Sequence, residues 1–244
     1  MMNGAVTSAR FNVSAVNSMS DEPLLISISN LPVKRKLTIH SSVTADNGAL
    51  FECIAIYKSS EKGFIDLSED PAIGGMYKGI EPMGLFWAMD PSKLNKKKYN
   101  RLTKTNVETP QVHNFVVYDN IVDNLDEFYQ LKSKGQLQNL ASTQVNRWFM
   151  AKGTKRSLLT VEKHGIHGTL FIPPGGGPFP GILVMFGGYP GTMEYKASLF
   201  SSHGYAALAL AYYGAAGLPE IDFERFSQGG SLKMEYFETA VQLL

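Results

Sequence analysis

Cysteine is nearly absent from this sequence. The one thiol, Cys53, sits inside the apolar run LFECIAIY, so no internal disulfide can form and a packed core has to hold the chain together. In that setting the thiol reads as core filler rather than as a reactive group. Long hydrophobic runs are missing as well: no stretch approaches the roughly 20 apolar residues of a membrane-spanning helix, which excludes a helical membrane span. Charge is sparse and balanced, 18% of residues with 23 basic against 22 acidic. No net field of one sign therefore draws the molecule to nucleic acid or to an anionic membrane, and its expected partner is small or neutral. Neither a lysine-bearing phosphate loop nor G-x-G-x-x-G spacing occurs in the turn GGYPGT, and the chain is read as carrying no cofactor and no metal.

What is present is a change of pattern along 244 residues that are 44% apolar, enough for one sizeable core or two small ones. Residues 1–20, with a single arginine and no acid, read as a disordered tail with a faint likeness to a mitochondrial presequence. From 21 to 150 the segments LLISIS, KLTIHSSV, ALFECIAIY, VHNFVVYD and STQVNRWFM are short, β-rich and separated by turn residues. Asp46-Asn47-Gly48 supplies a positive-φ hairpin turn, and the set predicts an antiparallel sandwich. Asp123 to Leu140 reads as a short helix or a loop insertion. GIEPMGLFWAMDP, Gly79 to Pro91, reads as an irregular segment packed against something. The charge run SKLNKKKYNR, Ser92 to Arg101, is read as a solvated loop, with phosphate binding as the alternative.

From 151 to 244 the expectation is strand, helix, strand. GTLFIPP is a short strand, and ILVMF, Ile182 to Phe186, suits a strand buried on both faces. A helix over Met193 to His203 is predicted to offer Tyr195, Ser198, Leu199 and Ser202 inward and to end at a left-handed Gly204. Tyr205 to Tyr212 is a second buried strand, so the unit predicts a parallel sheet with helices on its faces. The last helix carries an apolar stripe of Met234, Phe237, Ala240, Val241 and Leu244 without a stop signal.

The ordered run HGTLFIPPGGGPFPGILVMFGG, EYKASLFSSHGYAALALAYYG, LP and EYFETAVQLL resembles the acyl-CoA thioesterase and bile acid-CoA:amino acid N-acyltransferase family. GIEPMGLFWAMDP and NGALFECIAIY resemble that family's N-terminal domain, and the likeness runs over roughly residues 20 to 244. It implies an N-terminal immunoglobulin-like β-sandwich followed by a truncated α/β-hydrolase domain. It also implies an intracellular acyl-CoA substrate, in cytosol, mitochondrion or peroxisome, and serine-type thioester hydrolysis through an acyl-enzyme. In such enzymes the nucleophile comes first, then the acid, then the histidine. The resemblance places the nucleophile elbow one loop and one strand after EYFETAVQLL.

No G-x-S-x-G or G-x-C-x-G occurs in the chain, so nucleophile, acid and histidine are expected beyond Leu244 and the 244 residues are expected to be inactive alone. His40, His113, His164, His167 and His203 precede any hydrolase histidine position and read as surface or structural. What remains is one arm of an oxyanion hole. The second backbone donor of the hydrolase template comes from the loop after the third strand. GGYPG occupies that loop, which makes Gly188 and Tyr189 the candidate donors and Gly187 the residue that lets the chain turn, while Pro190 has no N–H to offer. Three readings stand: thioester hydrolase, transferase of the acyl group to an amino acid, and a non-catalytic fragment that binds a partner.

Overall fold

The computed structural model describes residues 8–97, 99–186, 191–218 and 233–244. The chain divides into two compact units, Met1–Lys104 with Gln111–Arg147, and Thr105–Pro110 with Trp148–Leu244. The stretch 105–110, expected with the first domain, thus belongs with the second.

The first unit is built from strands whose apolar residues alternate. β1 (Arg10–Val13), β3 (Ile26–Ser29) and β6 (Ile65–Asp66) form a three-stranded antiparallel sheet. The other sheet has the order β2 (Asn17–Met19), β10 (Asn139–Trp148), β9 (Gln111–Tyr118), β4 (Lys36–Thr44), β5 (Leu50–Lys58), β7 (Gly74–Gly75), and β8 (Asp90–Pro91) also pairs with β5. Phe11, Ile26, Ile28 and Ile65 of the small sheet share one core with Leu37, Ile39, Cys53, Tyr57, Phe115 and Val117 of the large one. The unit is therefore a β-sandwich. Gly48, at φ +81°, makes the β4–β5 turn as the Asp-Asn-Gly signal predicts.

One expectation needs correction here, and one that was left open is decided. Residues 10–19 are not a disordered tail: β1 pairs with β3 from Arg10↔Ser29 to Val13↔Ile26, and β2 joins the edge of the large sheet. Phe11 enters the core. The buried Arg147 guanidinium donates to Ser18 Oγ at 2.6 Å, to the Ser20 carbonyl at 2.9 Å and to the Glu22 carbonyl, so an inward-pointing cation is satisfied by this very segment. The segment 123–140, left open between helix and loop, contains α2 (Leu125–Ser133). Asn124 caps it by accepting from the Glu127 N–H at 2.9 Å, while Glu127 accepts from the Asp123 N–H. Phe128 anchors a second apolar cluster with Ile54 and Val122 on the face of the large sheet opposite the sandwich core.

GIEPMGLFWAMDP does pack against something. It contains the single helical turn α1 (Gly84–Trp87), whose Leu85 is fully buried in the sandwich core and whose Leu85 carbonyl accepts from Ser41 Oγ at 2.6 Å. A Cβ on Gly84 would lie 2.4 Å from the Tyr77 ring, and the Tyr77 hydroxyl is itself held 2.8 Å from that of Tyr57.

The second unit is a four-stranded sheet of order β11 (Lys155–Leu159), β12 (His167–Ile172), β14 (Ala206–Ala211), β13 (Gly181–Val184). β13 and β14 run parallel, from Gly181↔Ala206 to Val184↔Ala209, with α4 (Glu194–Ser202) between them in sequence. The rest of the sheet is antiparallel, β11 to β12 and β12 to β14, so the expected parallel sheet is a mixed one. The reason is local: β11 reaches β12 through only the short α3 (Val161–His164), and a connection that brief can return the chain only antiparallel. Burial on both faces holds for β14, whose six residues are all buried, and not for β13, where Gly181 is exposed and Ile182 and Leu183 are half-buried.

α4 turns Ala197, Ser198 and Ser201 inward, with Leu199 only half-buried. Small side chains suit that position because β14 presents Ala207 and Ala209 to the same cluster and the backbones can approach closely. Gly204 follows at φ +94°, the predicted left-handed position. α5 (Met234–Gln242) packs Tyr236, Phe237, Ala240 and the following Leu244 on the sheet, while Met234 and Val241 of the expected stripe are exposed. Tyr236 explains the rotation: its oxygen accepts from the His167 N–H at 2.9 Å and donates to the Ala211 carbonyl at 2.5 Å, bridging the ends of β12 and β14.

Both contacts lead to measurable expectations. Gly84→Ala gains roughly 1 kcal/mol of backbone preference, but the forced shift of Tyr77 costs about 1–3 kcal/mol, so urea unfolding of the sandwich is expected to move to lower denaturant. A higher midpoint would mean that Tyr77 yields freely. Tyr236→Phe removes both hydrogen bonds without changing shape and is expected to lower stability by about 1–3 kcal/mol, with faster amide exchange at His167.

Candidate functional site

β13 and β14 run parallel, so Phe186, which follows β13, and Tyr212, which follows β14, lie at the same end of the sheet, beyond the carboxyl ends of both strands. Gly187, Gly188 and Tyr189, the residues assigned to an oxyanion arm, lie outside the described residues, as does Pro190. Their frame is described. Before the turn, the Tyr212 hydroxyl donates to the Phe186 carbonyl at 2.6 Å, tying the end of β13 to the residue that follows β14. After it, Glu194 in the first turn of α4 accepts from Arg156 Nε and Nη2 at 2.8 and 2.9 Å and from Thr169 Oγ1 at 2.8 Å. One carboxylate thus secures the start of α4 to β11 and β12 together.

The bond to Glu194 holds the Arg156 guanidinium above its ordinary pKa, against the opposing effect of partial burial. An acid at this end of a nine-residue helix also meets the positive pole of its dipole. The segments on either side of residues 187–190 are therefore tied to the sheet by side-chain contacts that sequence reasoning did not single out.

Four of the five histidines take structural places. His164 Nδ1 accepts from the Thr160 N–H at 3.1 Å, and His203 caps the end of α4. His113 is buried, and burial with the neighbouring Arg147 pushes its pKa down to about 4, which keeps it neutral. His40 belongs to a buried polar cluster. Its Nε2 lies 3.0 Å from Oε1 of Glu52, whose other oxygen accepts from the Tyr129 hydroxyl; Ser92 Oγ lies 3.3 Å from that hydroxyl, and the His40 ring stacks on Phe128 at 4.4 Å.

Glu52 is 2% exposed. Burial opposes its ionisation, but the hydrogen-bonding groups of His40, Ser92 and Tyr129 outweigh that effect and hold its pKa below the ordinary value. Burial and the adjacent carboxylate push Tyr129 up to about 12, so the phenol keeps the proton it donates. A signal for this cluster was present: with period 2, Thr38, His40 and Ser42 fall on the face opposite Leu37, Ile39 and Val43, and a polar face that is buried needs a cover. Helix α2 is that cover. A cavity of about 540 Å³ opens between β1 and β10, and none of the cluster's residues lines it. The cluster's groups bond one another, which suits an anchor for α2 rather than a place for chemistry. Cys53 is buried with its thiol pushed up to about 12 by burial, in keeping with core filler.

The family profile described as "Acyl-CoA thioester hydrolase/BAAT N-terminal region" matches residues 21–161. The chain is 40% identical to acyl-coenzyme A amino acid N-acyltransferase 2 of Mus musculus, over 93% of its own length and 50% of that protein. Identity to acyl-coenzyme A thioesterase 5 of Mus musculus is also 40%, over 93% of the chain and 48% of that protein. For bile acid-CoA:amino acid N-acyltransferase of Mus musculus it is 37%, over 97% and 52%. The chain spans about half the length of these relatives.

The Glu52 cluster sets an expected pH response. A carboxyl whose folded pKa lies below its ordinary 4.5 contributes stability that is complete above that pH and is lost as pH falls through the folded value. The protection of α2 amides relative to their intrinsic exchange rate is therefore expected to fall below about pH 4.5. Glu52→Gln is expected to cost about 2 kcal/mol near neutrality and to flatten the acid limb. Acid limbs of equal slope in the two proteins would assign the response to other groups.

Proposed function

Because the chain belongs to the acyl-CoA thioester hydrolase and bile acid-CoA:amino acid N-acyltransferase family, we propose that it serves fatty acyl-CoA hydrolysis, contributing a sandwich and one oxyanion arm. The second unit is, in this reading, the N-terminal part of an α/β-hydrolase domain. The observation that carries it is the parallel β13–β14 pair with α4 as its crossover, braced by Tyr212 and Glu194 on either side of the glycine turn. The order β10-β9-β4-β5, with β1 on one sheet and β2 on the other, supports an immunoglobulin-like sandwich.

In the proposed reaction a serine hydroxyl attacks the thioester carbonyl while a histidine takes its proton. The carbonyl oxygen becomes an oxyanion held by the N–H groups of Gly188 and Tyr189 together with the one after the nucleophile. Collapse expels the CoA thiolate, which receives the proton from the histidine. Water then repeats the sequence on the acyl-enzyme and releases the fatty acid.

The 244 residues contain no serine or cysteine in an elbow motif, and His40 and His113 are committed to packing. The chain by itself is therefore proposed to be silent. Equal identity to a thioesterase and to an N-acyltransferase supports transfer to an amino acid as the second reading.

Release of CoA thiol from palmitoyl-CoA is expected to stay at the uncatalysed rate with the purified chain; turnover above it would overturn the silent-fragment reading. Fused to the aligned second half of thioesterase 5, the chain is expected to hydrolyse palmitoyl-CoA, and Gly188→Pro, which deletes a donor, to lower kcat by about 10²–10³. A folded fusion without activity would count against the hydrolase reading. N-acyl product formed in the presence of glycine or taurine would favour the second.

A further inference from the structure

The loop after β8 is pinned at both ends and basic between them. At one end the Asn95 side chain accepts from the Leu50 N–H and donates to the Leu50 carbonyl, both at 2.8 Å, and the Ser92 N–H donates to the same carbonyl. At the other, Lys104 is 4% exposed and its Nζ lies 2.8 Å from Asp46 Oδ1 in the β4–β5 turn. Between the anchors Asn100 Nδ2 donates to the Lys97 carbonyl at 2.7 Å.

This pinned loop holds its cations in solvent. Lys96, Lys97 and Arg101 are exposed. The acids set against the loop are already engaged, Asp126 with Lys93 at 2.7 Å and Asp46 with Lys104. Among the described residues no carboxylate lies within ion-pair distance of Lys96, Lys97 or Arg101. Interleaved with them are apolar side chains of the kind a core would normally claim: Leu94 is 65% exposed, Tyr99 84% and Leu102 36%.

We propose that this loop, through Lys96, Lys97 and Arg101 with Leu94, Tyr99 and Leu102, is a peripheral docking surface for an anionic lipid bilayer. The two residue types have separate tasks. Cations within a Debye length of a negatively charged leaflet are attracted locally, whatever the charge of the remote surface, so a net charge of +1 does not oppose the contact. Leucine and tyrosine gain by entering the headgroup boundary, where an amphipathic ring is at home. A soluble polyphosphate would engage the same cations but has no use for three exposed apolar side chains, and that difference selects the bilayer. The contact requires no nucleophile and stands apart from the hydrolase reading.

Co-sedimentation of the 244-residue chain with phosphatidylcholine vesicles, with and without 30 mol% phosphatidylserine, tests it. The chain is expected to partition onto the phosphatidylserine vesicles and to leave them as salt is raised. Removing each cation is expected to weaken partition about fivefold, the equivalent of about 1 kcal/mol, so Lys96→Glu/Lys97→Glu/Arg101→Glu is expected to abolish it. Leu94→Ser/Tyr99→Ser, with the charges intact, is expected to weaken it at least fivefold. All sites are exposed, and unchanged thermal unfolding of the variants would show that folding is not the cause. Equal partition onto both vesicle types, or no effect of Leu94→Ser/Tyr99→Ser, would overturn the proposal. So would saturable binding of inorganic tripolyphosphate without vesicle partition, which would assign the loop to a soluble anion.

Discussion

Two neighbouring parallel strands cannot be joined by a tight turn, and much of the second unit follows from that constraint. Once β13 and β14 pair in parallel, the chain between them has to climb off the sheet, cross one face and return, and α4 is the shortest stable way to do it. The crossover leaves β13 at the carboxyl end of the strands. It also decides which face of α4 is small: Ala197, Ser198 and Ser201 let the helix settle on a strand made entirely of alanine and leucine. A bulkier helix would stand farther from the sheet, and Glu194 could no longer meet both Arg156 and Thr169.

The first unit meets a different problem with similar means. A sandwich buries one face of each sheet, yet here the outer face of the large sheet is covered as well, by α2. Covering it takes His40 and Glu52 out of water, and an ionised carboxylate in that position is tolerable only when its oxygens are bonded. Tyr129 on the covering helix and His40 on the sheet supply those bonds. The element that creates the desolvation thus also supplies part of its remedy. Arg147 follows the same logic on the inner side, where carbonyls of residues 20 and 22 and the Phe86 ring at 5.4 Å receive the cation.

Much of this was legible in the sequence because its signals are local. Alternation in KLTIHSSV and ALFECIAIY, the Asp-Asn-Gly turn between them and Gly204 after α4 each report backbone geometry within a few residues, and strands, turn and cap stand where those signals put them. Residues 10–19 were missed because Phe11 gives little periodicity by itself; their order comes from β3, β10 and Arg147, all distant in sequence. β11 was missed because Lys155, Arg156 and Ser157 lie exposed on an edge strand, where the pattern that marks a half-buried strand is absent. The braces of the glycine turn were illegible for the same reason, since Arg156 and Glu194 are 38 residues apart.

By itself, then, the sequence determined a two-part chain, the β character of the first part, the strand–helix–strand order of the second, and the family to which both belong. These are properties of neighbouring residues and of ordered motifs. Only the tertiary structure decided that the second sheet is mixed, that Tyr236 turns α5 inward, that Glu52 is buried and hydrogen-bonded beneath α2, and that Lys96, Lys97 and Arg101 of a pinned loop have no carboxylate partner among the described residues. Each of those depends on which distant side chain arrives within a hydrogen bond's length, and chain order carries no record of that distance.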